Sequence, residues 1–357
     1  MSTALTKIDF LIVGQGLAGS LLAWNLIKQG QQVLLVDSCL EQTASRTAAG
    51  LINPVTGKRL VKSADIDVHL KASKRLYQQL TAYFKKEFLF KKPFSRLFLS
   101  QADINQWQKR QEDIGYKAYL GKAFRADDKT FLSDESLGGF TQPQCAYLDT
   151  VLLLDELRQF FVQKNSFINA TLNVDDCLLS NEGLEWQGHL AKKVIFCDGY
   201  QLQNNQWFKY LPLQPVQGEI LTMQTDQALP KEIVHFGKWL LPLQDGRFKL
   251  GATWQWKPLD NKPSITALND LIAALTEQFP YLKKATLVER KIGVRPGTKD
   301  KMPFLGVHPN HSQVMVFNGF GSKGSLTIPW YSECFVNYLL KGEPLPKEAN
   351  INRYIKN

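Results

Sequence analysis

The pattern of apolar and polar positions predicts a strand, a helix and a second strand within the first 37 residues. The stretch KIDFLIVG (7–14) is an almost continuous apolar run, which is typical of a parallel strand buried on both faces. In LAGSLLAWNLIKQG (17–30) leucines recur at helical spacing, and Gly30 ends the helix. QQVLLVDS (31–38) reads as a second buried strand. We expect a right-handed crossover between the two strands.

Later segments alternate between helical and strand patterns. Apolar residues recur at helical spacing in five segments, at 66–88, 103–113, 149–165, 265–279 and 325–340. Short apolar runs predict strands in RLFLS, KVIFCDG, GEILTMQ, KWLLPLQ, RFKLGATWQW and QVMVFNG. Buried strands at the start, middle and end of the chain bracket two stretches of different character. We therefore expect an α/β unit combined with an α+β unit, with one domain inserted into the other twice.

One segment of the chain carries most of the excess positive charge. The 357 residues carry a formal net charge of +10, and between 58 and 96 eleven Lys and Arg residues stand against three acidic residues. This basic segment can bind nucleic acid, an anionic membrane surface or an acidic partner, or it can be the solvated face of a long helix. Both interpretations stay open. The segment lacks the interleaved aromatic residues of a base-stacking surface.

Cysteine usage and hydropathy narrow the class of protein. The five cysteines (39, 145, 177, 197 and 334) are scattered and odd in number, which argues against a disulfide framework or a zinc site. We interpret them as reduced thiols of a cytoplasmic protein. The N-terminal stretch MSTALTKIDFLIVGQG lacks the features of a signal peptide, and no run of 18 apolar residues predicts an integral membrane segment.

The turn between the first strand and the first helix carries a dinucleotide-binding pattern. GQGLAG places glycines at 14, 16 and 19, and Asp37 ends the second strand. Gly14 allows the tight turn, Gly16 lets the backbone approach a pyrophosphate, and Gly19 lets the helix pack on the strand. The helix N-terminus then offers free N–H groups to the phosphates, and Asp37 can accept hydrogen bonds from a ribose.

The glycine pattern alone does not separate NAD from FAD. The next segment, TASRTAAGLINP (43–54), is rich in small residues where an ordinary NAD domain would continue to its next strand and helix. Small residues let a backbone lie close to a flat ligand, although the same composition also suits a plain loop.

Five stretches together resemble the D-amino-acid oxidase-like superfamily of flavoproteins, the group that includes glycine oxidase and sarcosine oxidase. They stand in the family's order and reach from one end of the chain to the other: IVGQGLAGSLLAWNLIKQGQQVLLVD, ASRTAAGLINP, VIFCDGY, GVRPGTKDKMPFLG and NGFGSKGSLTIP. RPGTKDKMPFLGVHP is most similar to glycine oxidase. GFGSKGSLTIP is more similar to the oxidase domain of the bifunctional enzyme that matures the methylaminomethyl group on wobble uridine in tRNA.

The resemblance implies FAD, two domains and oxidation of a C–N bond. It implies an FAD-binding domain of Rossmann type at 1–80, 145–211 and 290–357, with an antiparallel-sheet substrate domain at 81–144 and 212–289. It also implies the cofactor-binding residues. These are Gly14, Gly16, Leu17, Ala18, Gly19 and Asp37 for the ADP half, Ser45, Arg46, Ala48, Ala49 and Gly50 for the ribityl and ring region, Val174 for adenine, Gly199 for the pyrophosphate, and Gly319, Gly321, Ser322, Lys323 and Gly324 for the pyrimidine end.

Some relatives attach FAD covalently through a histidine in the segment that matches SRTAAG. The matching position here is Thr47, and no cysteine lies between 300 and 325. The resemblance therefore implies non-covalent FAD.

Two residues are predicted to act on the substrate or the reduced ring. Arg295 matches the family arginine that binds a substrate carboxylate, and its alternative role is an ion pair with an acid such as Asp300. Lys323 can stabilise negative charge on the reduced ring. Ser322 stands where glycine oxidase has a second cationic residue, which leaves the substrate open. Four residues of the inserted strands are further candidates for the pocket: His235, Trp239, Trp254 and Trp256.

Three hypotheses follow for the function. The first is an oxidase or dehydrogenase for a small amino acid or a secondary amine. The second is an oxidase acting on a carboxymethylaminomethyl-modified uridine of tRNA, which would need a partner for the absent methyltransferase half. The third is a protein that holds FAD and binds a membrane or another protein through the basic segment 58–96.

Overall fold

The computed structural model describes residues 5–63, 65–133 and 135–355; residues 1–4, the start of the stretch judged not to be a signal peptide, lie outside them. Within the described ranges the α-helices are α1 (Leu17–Lys28), α2 (Ala44–Thr47), α3 (Ile66–Phe84), α4 (Gln101–Gln111), α5 (Thr150–Gln163), α6 (Ile265–Gln278) and α7 (Gly324–Lys341). The strands are β1 (Thr6–Val13), β2 (Val33–Asp37), β3 (Leu51–Ile52), β4 (Val55–Thr56), β5 (Val61–Lys62), β6 (Leu89–Lys91), β7 (Phe94–Leu97), β8 (Ala123–Phe124), β9 (Gly139–Thr141), β10 (Ala146–Leu148), β11 (Phe167–Asn169), β12 (Leu178–Leu179), β13 (Leu184–Trp186), β14 (His189–Phe196), β15 (Val216–Gln224), β16 (Ile233–Phe236), β17 (Lys238–Pro242), β18 (Arg247–Gly251), β19 (Thr286–Arg295), β20 (Phe304–His308) and β21 (His311–Asn318).

The first sheet is parallel at its centre. β11, β2, β1 and β14 lie side by side in that order, and each adjacent pair is parallel. β14 then pairs with β13 through its first residues and with β21 through its last ones, from Val194 to Phe196. The carboxyl ends of β1, β2, β14 and β21 therefore meet at one edge, which is where ligands bind in open α/β sheets.

Both faces of this sheet are covered, which explains the continuous apolar runs of its strands. Phe10 and Ile12 of β1 pack in a core with helices α1, α3, α5 and α7. Leu11 and Val13, which point to the other face, pack in a second core with Trp186 and with the segment that follows β14. Strand alternation thus divides one apolar run between two cores.

The second sheet has the order β19-β15-β18-β17-β16-β7-β9-β8 and is antiparallel except between β16 and β7. Leu221 and Met223 of β15 pack against helix α6 on one face. Ile220 of the same strand points to the opposite face, where it packs with Ala49 in a smaller core. This opposite face looks toward the first sheet and forms one wall of the site.

The predicted combination of an α/β unit and an α+β unit is confirmed, and the six predicted helices are present. One strand was predicted too long, because the run RFKLGATWQW leaves the sheet after Gly251 and its last two tryptophans are exposed. The two-domain boundaries stay a prediction. β19 pairs with β15 along its length, so the second sheet extends beyond residue 290. None of the helices described is both long and apolar enough to cross a membrane.

We predict that Gly19→Ala weakens both the fold and cofactor binding. A β-carbon at Gly19 would overlap the carbonyl oxygen of Gly14, so α1 would have to move away from β1. Overpacking of this kind costs about 1–3 kcal/mol of unfolding free energy. Urea unfolding and the FAD content of the purified protein measure the two effects.

Gly30→Ala is the matched control for this variant, at the other end of α1. Gly30 has φ +78° and a β-carbon there meets nothing within 4 Å. It should cost about 1 kcal/mol for the left-handed backbone and leave FAD content unchanged. Equal loss of FAD in both variants would contradict the role assigned to Gly19.

Candidate functional site

A cleft of about 1610 Å³ runs from the carboxyl edge of the first sheet to the inner face of the second. It is lined by residues from all five stretches that were singled out in the sequence. The predicted site residues that line it are Gly14, Gly16, Leu17, Ala18, Asp37, Ser45, Ala48, Ala49, Gly50, Val174, Gly199, Arg295, Gly321, Ser322, Lys323 and Gly324. The fold therefore brings together residues that are more than 300 positions apart in the chain.

Three predicted residues do not line the cleft. Gly19 lies behind it, against Gly14, in the packing role that the motif predicts. Gly319 also supports the turn from outside the cleft, with a β-carbon there meeting Thr298 Cγ2 at 2.7 Å. Arg46 was expected to touch the cofactor. Its side chain points from α2 toward α5 and forms an ion pair of 2.7 Å with Asp155, so a cofactor contact of Arg46 stays a prediction.

The N-terminus of α1 fits a pyrophosphate. Gly14 has φ +104°, and a β-carbon there would come within 2.7 Å of the Cys197 carbonyl oxygen. Gly16 is the N-cap residue and has no side chain that could cap the helix. The Leu17 N–H donates to Ser45 Oγ at 3.0 Å. Because no side chain caps Gly16 and no carboxylate occupies the first turn, the positive end of the helix dipole faces the cleft.

The carboxylate of Asp37 is held in place at the end of β2. Its Oδ2 accepts from the Gln15 N–H at 2.6 Å, and its Oδ1 accepts from the Cys39 N–H at 2.7 Å. A carboxylate fixed in this way can still accept hydrogen bonds from a ribose through its remaining lone pairs. Val174 lies in the same end of the cleft, at the start of a short 3-10 helix, as expected for an adenine contact.

Asp198 and Asn318 are site residues that the sequence analysis missed. Asn318 Nδ2 donates to Asp198 Oδ1 at 2.9 Å and to the Gly199 carbonyl at 3.0 Å. Its Oδ1 accepts from the Gly319 N–H at 2.7 Å. One amide thus joins the turn after β14 to the turn after β21. Burial raises the pKa of Asp198 to about 7. Both residues stand inside the motifs VIFCDGY and NGFGSKGSLTIP, and this position was the only sign in the sequence that they belong to the site.

The loop from Thr43 to Gly50 forms the middle of the cleft. The Thr43 hydroxyl caps α2 by accepting from the Arg46 N–H, and Thr47 Oγ1 donates to the Ile292 carbonyl at 2.8 Å. Gly50 has φ +67°, and a β-carbon there would overlap the Leu148 backbone. The chain therefore passes close to β10 and presents Ala48 and Ala49 to the cleft, which fits a flat ring.

Lys323 lies at the N-terminus of α7 beside that loop. Its Nζ donates to Ser63 Oγ at 2.6 Å, and burial, with a smaller effect of Lys301, lowers its pKa. The lysine is thus held near the place where the loop and the Gly321–Gly324 turn meet. A cation and a helix N-terminus together can stabilise negative charge on a ligand there.

Arg295 ends β19 and projects into the cleft without a carboxylate partner among the described residues. Its Nη1 donates to the Thr253 carbonyl at 3.3 Å, and its guanidinium lies 4.8 Å from the Trp254 ring centroid. A β-carbon on Gly218, on the neighbouring strand, would overlap the guanidinium, so the group rests on bare backbone. Burial lowers the pKa of Arg295 to about 10, which leaves it charged at neutral pH.

The alternative role of Arg295, an ion pair with Asp300, is wrong. Asp300 Oδ2 instead accepts from Arg353 Nε at 2.8 Å, near the C-terminus. Of the four pocket candidates, His235, Trp239 and Trp254 line the cleft, whereas Trp256 does not. The planar guanidinium of Arg295, which has no acidic partner among the described residues, can bind a ligand carboxylate through two parallel hydrogen bonds.

The fold and the cleft together define a dinucleotide-binding oxidoreductase. Residues 9–337 match the family described as FAD dependent oxidoreductase (DAO), so the chain belongs to that family. This confirms FAD as the cofactor and the superfamily that the motifs resembled. The cleft provides the glycine turn, a helix N-terminus without an acidic side chain in its first turn, and the small-residue loop that such a cofactor requires.

Curated relatives include both groups that the motifs resembled. The chain is 22% identical to glycine oxidase of Bacillus subtilis over 343 residues, covering 90% of each. It is 26% identical to glycine oxidase of Pseudomonas putida over 190 residues, with 52% of this chain and 48% of that protein covered. It is 25% identical to the tRNA 5-methylaminomethyl-2-thiouridine biosynthesis bifunctional protein MnmC of Acinetobacter baylyi over 363 residues. That match covers 97% of this chain and 55% of MnmC, so the chain spans about half the length of several curated relatives.

Solved structures share the fold. Glycine oxidase from Geobacillus kaustophilus superposes with a TM-score of 0.82 at 20% identity, covering 95% of this chain and 96% of that one. Iminodiacetate oxidase from Chelativorans sp. BNC1 gives a TM-score of 0.80 at 20% identity, covering 97% and 98%.

We predict that Gly218→Ala displaces the Arg295 guanidinium while FAD stays bound. The loss of a charge-assisted hydrogen-bonded fork should weaken binding of a simple carboxylate such as acetate by roughly 10-fold or more. Titration of the flavin absorbance measures the affinity. Thr222→Val, on the same strand but outside the cleft, is the control, and unchanged acetate affinity in Gly218→Ala would refute the placement.

Proposed function

We propose that the protein oxidises the C–N bond of a small amino acid or secondary amine whose carboxylate is bound by Arg295. The observation that carries this proposal is the charged guanidinium in the cleft without an acidic partner among the described residues. An isolated charge is costly to bury, and a ligand carboxylate in the cleft compensates for that cost. The amino-acid oxidases among the relatives support the same reaction class.

The side chains around Arg295 orient the substrate. Trp254 covers one face of the guanidinium, and the Thr253 carbonyl fixes its rotation. With the fork held in this way, the carboxylate can bind in one orientation, and the carbon bearing the amine is directed toward Ala48 and Ala49. Trp239 and Ile220, from the second sheet, exclude water from the same region.

FAD, when bound, supplies the acceptor for the hydride from the carbon that bears the amine. Lys323 and the N-terminus of α7 are suited to stabilise the negative charge that the cofactor gains. Non-covalent attachment is part of the proposal, because Thr47 replaces the linking histidine and its hydroxyl already donates to Ile292. A cytoplasmic location is also part of it, supported by the scattered cysteines.

We predict that Arg295→Lys retains FAD and raises KM for amino-acid substrates by roughly 10- to 100-fold, because lysine keeps the charge and loses the fork. The assay follows oxidation of glycine, N-methylglycine and N-ethylglycine, with oxygen or an artificial acceptor. Arg247→Lys, at the exposed first residue of β18 and outside the cleft, is the control. Loss of FAD, or equal oxidation of amines that lack a carboxylate, would contradict the proposal.

A second candidate is oxidation of a carboxymethylaminomethyl group on a tRNA uridine. Lys71, Lys74 and Arg75 border a shallow groove of about 500 Å³ on the exposed side of α3, within the basic segment. Lys58 and Arg59 are exposed and line the cleft. A phosphate backbone could bind this surface while the modified base enters the cleft. The similarity to MnmC supports this candidate.

We predict under this candidate that a deletion strain accumulates the carboxymethylaminomethyl nucleoside, as measured by mass spectrometry of digested tRNA. Complementation with Lys71→Glu/Lys74→Glu should fail to reverse the accumulation, because charge reversal repels phosphates. Lys283→Glu/Lys284→Glu carries the same charge change on an exposed segment elsewhere and should complement. Unchanged nucleosides in the deletion strain would exclude this candidate.

A further inference from the structure

The described residues that line the cleft are charged unequally at its two ends. Asp37 and Asp175 lie at the end proposed for adenosine. The other half carries six cationic residues: Lys58, Arg59, Arg96, Arg295, Lys301 and Lys323. One substrate carboxylate accounts for Arg295, and the charge of the reduced cofactor accounts for Lys323. The remaining cations have no role in the oxidation of a small amino acid.

Arg96 is the most buried of these cations. It lies on β7 with 8% of its surface exposed, and burial lowers the pKa of its guanidinium. Its Nη2 donates to the Gly57 carbonyl at 3.0 Å, and no carboxylate of the described residues lies within ion-pair distance. Asp103 acts on it only through a weaker coulombic effect, and that carboxylate accepts from the Leu99 N–H and the Ser100 hydroxyl.

The surroundings of Arg96 can bind an anion. A guanidinium has five N–H donors, so a single carbonyl leaves most of them available to a ligand. His235 is the cross-strand neighbour of Arg96 on β16 and lines the same cleft. Burial, and to a lesser degree Arg96, lower the pKa of His235 to about 3, so the ring is neutral and one nitrogen can donate. Lys58 and Arg59 follow Gly57 directly and add positive charge at the exposed mouth.

Arg96 and Arg295 lie on strands that are not neighbours in the second sheet. Their strands, β7 and β19, are separated by four strands in the second sheet. Five strand steps of about 4.8 Å place the two backbones at most roughly 24 Å apart, and curvature of the sheet shortens this distance. This spacing suits an extended ligand with an acidic group at each end.

We propose that Arg96, with His235, binds a second acidic group at the far end of an extended amine substrate whose first carboxylate is bound by Arg295. The second group is a carboxylate or a phosphate, since both accept from a guanidinium fork. This inference rests on the proposed role of Arg295. The competing explanation is that Arg96 only fixes the Gly57 carbonyl and hence the turn between β4 and β5.

The test is a binding measurement on the FAD-loaded protein with ligands that cannot be oxidised. Linear dicarboxylates of increasing length, monocarboxylates of the same lengths, and carboxylates ending in a phosphate are titrated by calorimetry and by flavin absorbance. At a preferred length, the second acid should tighten binding by roughly 10-fold or more over the matched monocarboxylate. Whether carboxylate or phosphate gives the larger gain identifies the natural group.

Variants separate the ligand role of Arg96 from its contact with Gly57. Arg96→Gln should remove the gain from the second acid and leave monocarboxylate affinity unchanged, whereas Arg96→Lys should retain part of the gain. Arg247→Gln, at the exposed first residue of β18 in the same sheet, should behave as wild type. If Arg96→Gln loses FAD or unfolds, the comparison of ligands in the wild type and in Arg96→Lys still decides.

Two outcomes would overturn the second site: no gain from the second acid at any length, or a gain that persists in Arg96→Gln. Failure of the proposed function looks different. In that case even the monocarboxylates bind without dependence on Arg295, as Arg295→Lys would show by leaving their affinity unchanged.

Discussion

The Arg295 guanidinium lies between the backbone of Gly218 and the ring of Trp254, and no acid of the described residues neutralises it. This arrangement depends on two sheets. β19 carries the arginine, β15 supplies the glycine beneath it, and the loop of the first sheet that would face a flavin lies opposite. A buried cation is costly unless something compensates for it. The function proposed for the cleft depends on that single unsatisfied charge.

The first sheet determines where the cofactor can bind. Its parallel strands end together, α1 begins at that edge, and the Asn318 amide joins the two turns that flank it. The second sheet determines what can approach the cofactor. Its inner face supplies Arg295, Trp239, His235 and Arg96 from four different strands, so substrate selection is a property of the sheet rather than of one loop.

Local sequence patterns were sufficient to predict the elements that are determined by residues close together in the chain. The glycines at 14, 16 and 19 and the apolar run of β1 predicted the turn, the helix start and the buried strand, because each depends on residues close in sequence. The extended strand predicted through Trp254 and Trp256 was wrong, since β propensity does not reveal where a chain leaves a sheet. The ion pair of Arg46 was not predictable for a similar reason, because its partner Asp155 lies on a helix more than a hundred residues away.

Long-range pairing explains what the sequence could not show about the site. Asp300 pairs with Arg353 and is therefore not a partner for Arg295. This pairing becomes visible only when the C-terminus is folded. In the sequence, Arg96 is only one of the charges of the basic segment 58–96. The structure shows that it is buried on β7 in the second sheet, beside His235. Asp198 and Asn318 stood in quoted motifs, yet their hydrogen bond joins strands more than a hundred residues apart.

The most direct test of the central claim is a crystal structure of the FAD-loaded protein with a non-oxidisable carboxylic acid bound in the cleft. The account predicts that both carboxylate oxygens accept hydrogen bonds from Arg295, with the guanidinium still resting on Gly218 and covered by Trp254. A carboxylate bound elsewhere in the cleft, or an acidic side chain of the protein paired with Arg295, would contradict it.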